Sequence, residues 1–150
     1  MKNLFDHADT AEILIRIQNL SPDAERKWGK MNVNQMLAHC NASLGTAMGL
    51  HNPKRLGFVG RLFGKLLKPK FFSETPFPKN SATDKSYIIT GDPNFEQEKA
   101  KSISQIKTFS EGGPAKCTTH PQAFFGPLTP EEWALMQWKH FDHHLRQFGA

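Results

Sequence analysis

Apolar residues return at the three-and-four spacing of a helix in five stretches of the chain, and nowhere do they form a convincing strand ladder. The first stretch, about Asp9 to Leu20, sets Ile13, Leu14, Ile17 and Leu20 on one face, and Ser21-Pro22-Asp23 closes it. The second, about Val33 to Met48, follows Asn32 as a candidate N-cap and lines up Val33, Met36, Leu37, Cys40, Leu44 and Ala47. A shorter amphipathic segment, about Leu56 to Leu67, carries Leu56, Val59, Phe63 and Leu67 on one side, with Arg61, Lys65 and Lys68 opposite. Pro69 to Pro93 then reads as a long irregular crossover, with Ser86 to Thr90 as a short extended piece. The fourth helix is expected from about Asn94 to Ser110, burying Phe95, Ile103, Ile106 and Phe109 before Gly112-Gly113-Pro114 stops it. The last opens on Thr129 as N-cap, Pro130 at its first position and Glu132 three after the cap, a capping-box arrangement.

Four substantial amphipathic helices and one short extra one predict an all-α fold, an antiparallel four-helix bundle with a decorated crossover. A length of 150 residues fits a single domain over 1–150 with a real core, to which twelve Phe and three Trp add bulk. No run of apolar residues is long enough to cross a membrane, and the polar opening Met1-Lys2-Asn3 does not read as a signal peptide. Cys40 and Cys117 form no disulfide framework and are expected as free thiols in a reducing cytoplasm. The net charge of +5 owes much to Lys54, Arg55, Arg61, Lys65, Lys68 and Lys70. Such an excess is common on proteins without anionic partners, so neither nucleic acid nor membrane is expected as one.

The histidines change the picture more. His140, His143 and His144 fall within five positions of the last helix, and His140 and His144 are four apart, one turn above each other. The apolar face there centres on Ala134, Trp138, Phe141 and Leu145. His140 and His144 lie at its edge, roughly 100–140° from the middle, in line with Trp133 and Gln147. His143 falls beside the polar arc. On the second helix His39 occupies a similar edge, aligned with Ser43. Imidazole is the commonest protein ligand for zinc and nickel, and three of them leave positions open for water or substrate. The plain alternative for each is a hydrogen-bonded rim histidine, and spacing alone does not bring His39 to the pair.

The segments Trp28-Gly29-Lys30-Met31-Asn32 through His39, His120-Pro121, Phe125-Gly126, Leu128-Thr129, Glu132-Trp133 and Lys139-His140-Phe141-Asp142-His143-His144-Leu145-Arg146-Gln147-Phe148-Gly149 together resemble the DinB/YfiT-like superfamily, in its uncharacterised DUF1569-type branch. The resemblance covers nearly the whole chain. It implies a DinB-like bundle, often a homodimer, with one divalent metal ion at an end of the helices. The implied ligands are a histidine on the second helix and an HxxxH pair on the last, which fall on His39, His140 and His144. Characterised relatives include metal-dependent transferases and isomerases that use low-molecular-weight thiols such as bacillithiol or mycothiol.

The expected function is therefore a metal-dependent enzyme, a thiol S-transferase or a hydrolase, acting on a small molecule with zinc or nickel as cofactor. His143, His120, Trp133 and Ser43 are candidates for the surroundings of the site, with Trp133 equally readable as core. No Asp or Glu stands beside the histidine stripe as an obvious base, which weighs against simple hydrolysis. Two other classes stay open: a non-catalytic bundle that a metal only stabilises, and a surface-binding module built on the basic helix 56–70.

Overall fold

The computed structural model describes residues 1–81 and 83–150. Among them are five α-helices and no strand: α1 (His7–Gln18), α2 (Val33–Ala47), α3 (Phe58–Phe71), α4 (Phe95–Gly112) and α5 (Pro130–Gln147). Their ends follow local chemistry. Asp6 caps α1 by accepting from the Asp9 N–H, so the helix starts two residues before the expected Asp9. Asn32 and Gln35 form a reciprocal capping box at α2, and Thr129 and Glu132 form another at α5. Gly113, at φ 56°, takes the backbone out of α4 through a conformation costly for any residue with a side chain.

Each of α1 and α2 packs against both α4 and α5. The shared core is built from the predicted faces: Ile13 and Ile17 of α1, Met36, Leu37 and Leu44 of α2, Ile106 and Phe109 of α4, and Phe141 and Leu145 of α5. Trp133 joins it, as its core reading expected, and Leu4 joins it unpredicted. The chain ahead of α1 lies along α5, where the Leu4 N–H donates to the Ala134 carbonyl at 3.2 Å, and in the first turn of α1 the Asp9 carbonyl accepts from Trp138 Nε1 at 3.1 Å.

Two expectations about the crossover are corrected. Of the extended piece expected at Ser86 to Thr90, Ser86 and Tyr87 instead belong to a 3-10 turn at Lys85–Tyr87, because the Asp84 carboxylate accepts from the Ser86 N–H and curls the chain at once, while Ile88 after it is extended. The irregular stretch does not begin at Pro69, since α3 runs through it to Phe71. Pro69 removes one helical N–H, but Lys65, whose carbonyl loses that partner, is exposed and open to water.

Lys139 of α5 anchors the chain just beyond α3. Its buried ammonium donates to the carbonyls of Phe71 (2.7 Å), Ser73 (2.6 Å) and Thr75 (2.9 Å). This pins the segment around Phe77 over the histidine-bearing end of α5, where Phe77 stands 6.2 Å from the His143 ring.

Candidate metal centre

α2 and α5 bring His39, His140 and His144 together. Their ligand nitrogens all lie within 4.8 Å of one another, and the ring centroids form a near-equilateral triangle with sides of 4.8, 4.8 and 4.7 Å. His39 and His144 are almost fully buried. The two helices meet here because Met36, Leu37, Cys40 and Leu44 of α2 share the core with Phe141 and Leu145 of α5, which turns the edge of one apolar face toward the edge of the other.

Backbone carbonyls fix which nitrogens carry protons. A carbonyl only accepts, so His39 Nδ1, 2.9 Å from the Tyr87 oxygen, is the N–H and its Nε2 lone pair faces the cluster. The same reasoning runs through Gln147. Its amide Nε2 donates to the Trp28 carbonyl at 2.6 Å, so its Oε1 must be the atom 2.8 Å from His144 Nδ1. That nitrogen therefore donates, and the His144 Nε2 lone pair is directed by two successive hydrogen bonds back to the main chain. Gly29 makes room for this relay. Its φ of +80° suits glycine, and a Cβ there would collide with the Gln147 amide. His140 Nε2 lies 2.9 Å from His39 Nε2, while its buried Nδ1 has no partner among the described residues.

The electrostatics suit a cation. Burial, and then the neighbouring His144, His39 and His143, hold His140 well below the usual imidazole range. Burial and His39 pull His144 down to about 3. Burial also lowers His39, partly opposed by the Tyr87 carbonyl. The cluster is thus three neutral imidazoles at pH 7, two of them oriented by outer hydrogen bonds, and the third holding an orphaned buried nitrogen. This donor set fits a borderline metal such as zinc or nickel. No carboxylate belongs to the group.

The other site candidates have different neighbours. His143 is half-buried, between Trp28 (5.7 Å between centroids) and Phe77, and in edge contact with His144 at 5.0 Å. It does not lie out on the polar arc, because the segment held by Lys139 covers that side. It lines a cavity of about 480 Å³ with Trp28, Phe77, Lys79, Trp138 and Lys139, which none of the three clustered histidines lines. Ser43 Oγ donates to Gln137 at 3.2 Å, one turn from the His39–His140 contact. Trp133 is buried in the core. His120 Nε2 lies 3.4 Å from the Pro53 carbonyl and ties two loops together. Cys40 is fully buried, and burial pushes its thiol well above the usual range.

The residues sequence reasoning missed are Tyr87, Gln147 and Trp28 as orienting groups. Gln147 stood on the line of His144, a usable hint. The other two act through backbone carbonyls, which carry no side-chain signature. Tyr87 also walls a second cavity of about 320 Å³ with Ala42 and Thr46, one and two turns along α2 from His39, and its hydroxyl donates to Thr46 at 3.1 Å.

The family model described as protein of unknown function (DUF1569) matches residues 2–150. No curated protein and no solved structure matches the chain.

Proposed function

Because the chain belongs to the DUF1569 family of proteins of unknown function, its chemistry has to be read from its own residues, and we propose that it is a metal-dependent enzyme. In this reading His39, His140 and His144 bind one divalent ion, zinc or nickel, and a small molecule occupies the position they leave open. The observation that carries it is the convergence of three neutral imidazoles, two of them locked with Nε2 inward by Tyr87 and by Gln147. Three protein ligands, rather than the four of a closed structural site, is the pattern of catalytic zinc.

When bound, the ion supplies Lewis acidity that lowers the pKa of a thiol or water beside it. The chain's own residues hold the ligands and keep them neutral. The absence of a carboxylate from the cluster favours transfer of a low-molecular-weight thiol over hydrolysis, since a thiol needs less help from a base. The cavity beside His39, with the Tyr87 and Thr46 hydroxyls in its wall, is our candidate for substrate entry. The fold is read as a DinB-like antiparallel bundle of α1, α2, α4 and α5.

The test is metal analysis and calorimetric titration of chelator-treated protein with zinc and nickel. One equivalent is expected to bind, and a His140→Ala, His144→Ala double variant is expected to lose it; undiminished stoichiometric binding by that variant sinks the proposal. The rival reading, an ion that only ties α2 to α5, is separated by a screen for metal-dependent turnover of thiol conjugates and esters.

A further inference from the structure

α3 is amphipathic in the wrong sense for a packed helix. Its large apolar side chains point away from the protein: Phe58 is 73% exposed, Val59 65%, Leu62 50%, Phe63 57%, Leu66 68% and Leu67 40%. At 100° per residue they cover about half the helix circumference. The side facing the protein is made of Gly64, the helix's one buried residue, with Gly60, Lys68 and Phe71 partly covered. Gly64 lies so close to the Phe124 carbonyl that a Cβ would overlap it. Lys68 on that side is clamped by Glu132 at 2.8 Å and by the Pro127 carbonyl at 3.3 Å. The glycine face and the lysine clamp hold the helix in this orientation, so its exposed stripe is built in.

The charge around the stripe is one-sided. Residues 54–71 hold six of the chain's 19 basic residues and none of its 14 acidic ones, leaving the rest with one more acid than base. Lys54, Arg55, Arg61, Lys65 and Lys70 are exposed, and none makes an ion pair among the described residues. Lys65 and, next to it, Arg61 border one edge of the apolar arc, where long side chains can reach outward while their stems lie on apolar surface. A contiguous exposed stripe of six large apolar residues rimmed by cations is the pattern of an interaction surface rather than of scattered surface hydrophobes. A symmetric pairing of two α3 helices would bring these cations together with no carboxylate to meet them. The homodimer the resemblance implies would use another face.

We propose that α3 is a membrane-docking helix that lies in the plane of an anionic phospholipid surface. Phe58, Leu62, Phe63 and Leu66 enter the boundary between headgroups and acyl chains, and the basic residues meet lipid phosphates. No helix among the described residues is long and apolar enough to cross a membrane, which fits peripheral docking. The inference is independent of the metal centre.

The experiment is sedimentation of the full chain with vesicles of phosphatidylglycerol and phosphatidylcholine, against vesicles of phosphatidylcholine alone. Binding to the anionic vesicles is expected at low salt, and about tenfold or more weaker binding to the neutral ones or in high salt. Phe58→Ser with Leu66→Ser is expected to weaken binding about tenfold or more. Arg61→Glu with Lys65→Glu is expected to erase the preference for anionic lipid. Both pairs are exposed, so unchanged circular dichroism and melting are expected alongside. No binding to anionic vesicles at low salt overturns the proposal, as does binding that neither pair alters. A dimer in light scattering that the serine variants dissolve also overturns it, because a second copy would then cover the face.

Discussion

At the scale of single residues, the centre depends on groups that would never touch an ion. Gln147 stands between the Trp28 carbonyl and His144, so Gln147→Met keeps the volume and removes both hydrogen bonds. The imidazole is then free to rotate, and metal affinity is expected to fall about 10–100-fold with the fold intact, as read by competition with a chelator of known affinity. The same burial sets a pH dependence for the metal-free protein. An unfolded histidine titrates near 6.5, whereas His144 in place titrates at about 3. Between those values the unfolded chain takes up a proton that the folded one refuses, so stability is full above pH 6.5 and is lost as pH falls. His144 alone should cost about 2 kcal/mol between pH 7.5 and pH 5, and urea melts of His144→Gln are expected to show a shallower decline. The three histidines were legible in the sequence because helical periodicity fixes side-chain direction along one element. The meeting of His39 with the pair was not, since it depends on how α2 and α5 cross.

At the scale of elements, α5 addresses three neighbours from one helix. His140 and His144 face α2, Lys139 holds the segment after α3, and Asp142 faces α1, accepting from Arg16 at 2.8 Å and from Arg146 at 2.9 Å. The helices themselves were legible, since their caps and apolar stripes agree with the fold they enter. The orientation of α3 was not. Its stripe reads as a face to be buried, and only the glycines on the other side, set against the Phe124 backbone, reverse it. Gly64→Ala tests this directly. Overpacking of this kind typically costs about 1–3 kcal/mol, but α3 has few contacts to lose and can lift away instead. Hydrogen exchange is therefore expected to accelerate across Phe58–Phe71 while the amides of α2 and α5 stay protected. Uniform acceleration in all helices would show that α3 is integral to the core.

At the scale of the whole molecule, an ion on His39, His140 and His144 would join two helices that are far apart in sequence, so binding and stability must be linked. At a hundredfold excess over its dissociation constant, a ligand of the folded state adds about 2.7 kcal/mol, which for a chain of this size is roughly 5–10 °C in melting temperature. Zinc or nickel is expected to raise the melting temperature by that order, a chelator to reverse it, and the His140→Ala, His144→Ala variant to show no rise. Asp142→Ala provides the contrast. It removes the carboxylate that Arg16 meets across α1 and α5 while leaving Arg16 with Glu12 and the Ala150 carbonyl, a loss of about 1–2 kcal/mol for a charged hydrogen bond. Asp142 and His144 are two residues apart on one helix and face opposite neighbours, so they share no hydrogen-bond partner. Their effects should add within about 0.5 kcal/mol. The Asp142→Ala protein should thus melt lower, yet gain nearly the full metal increment. A lost increment would mean that the α1 side and the α2 side of α5 move as one unit, and that the centre depends on the whole helix packing rather than on its own relay through Gln147 and Tyr87.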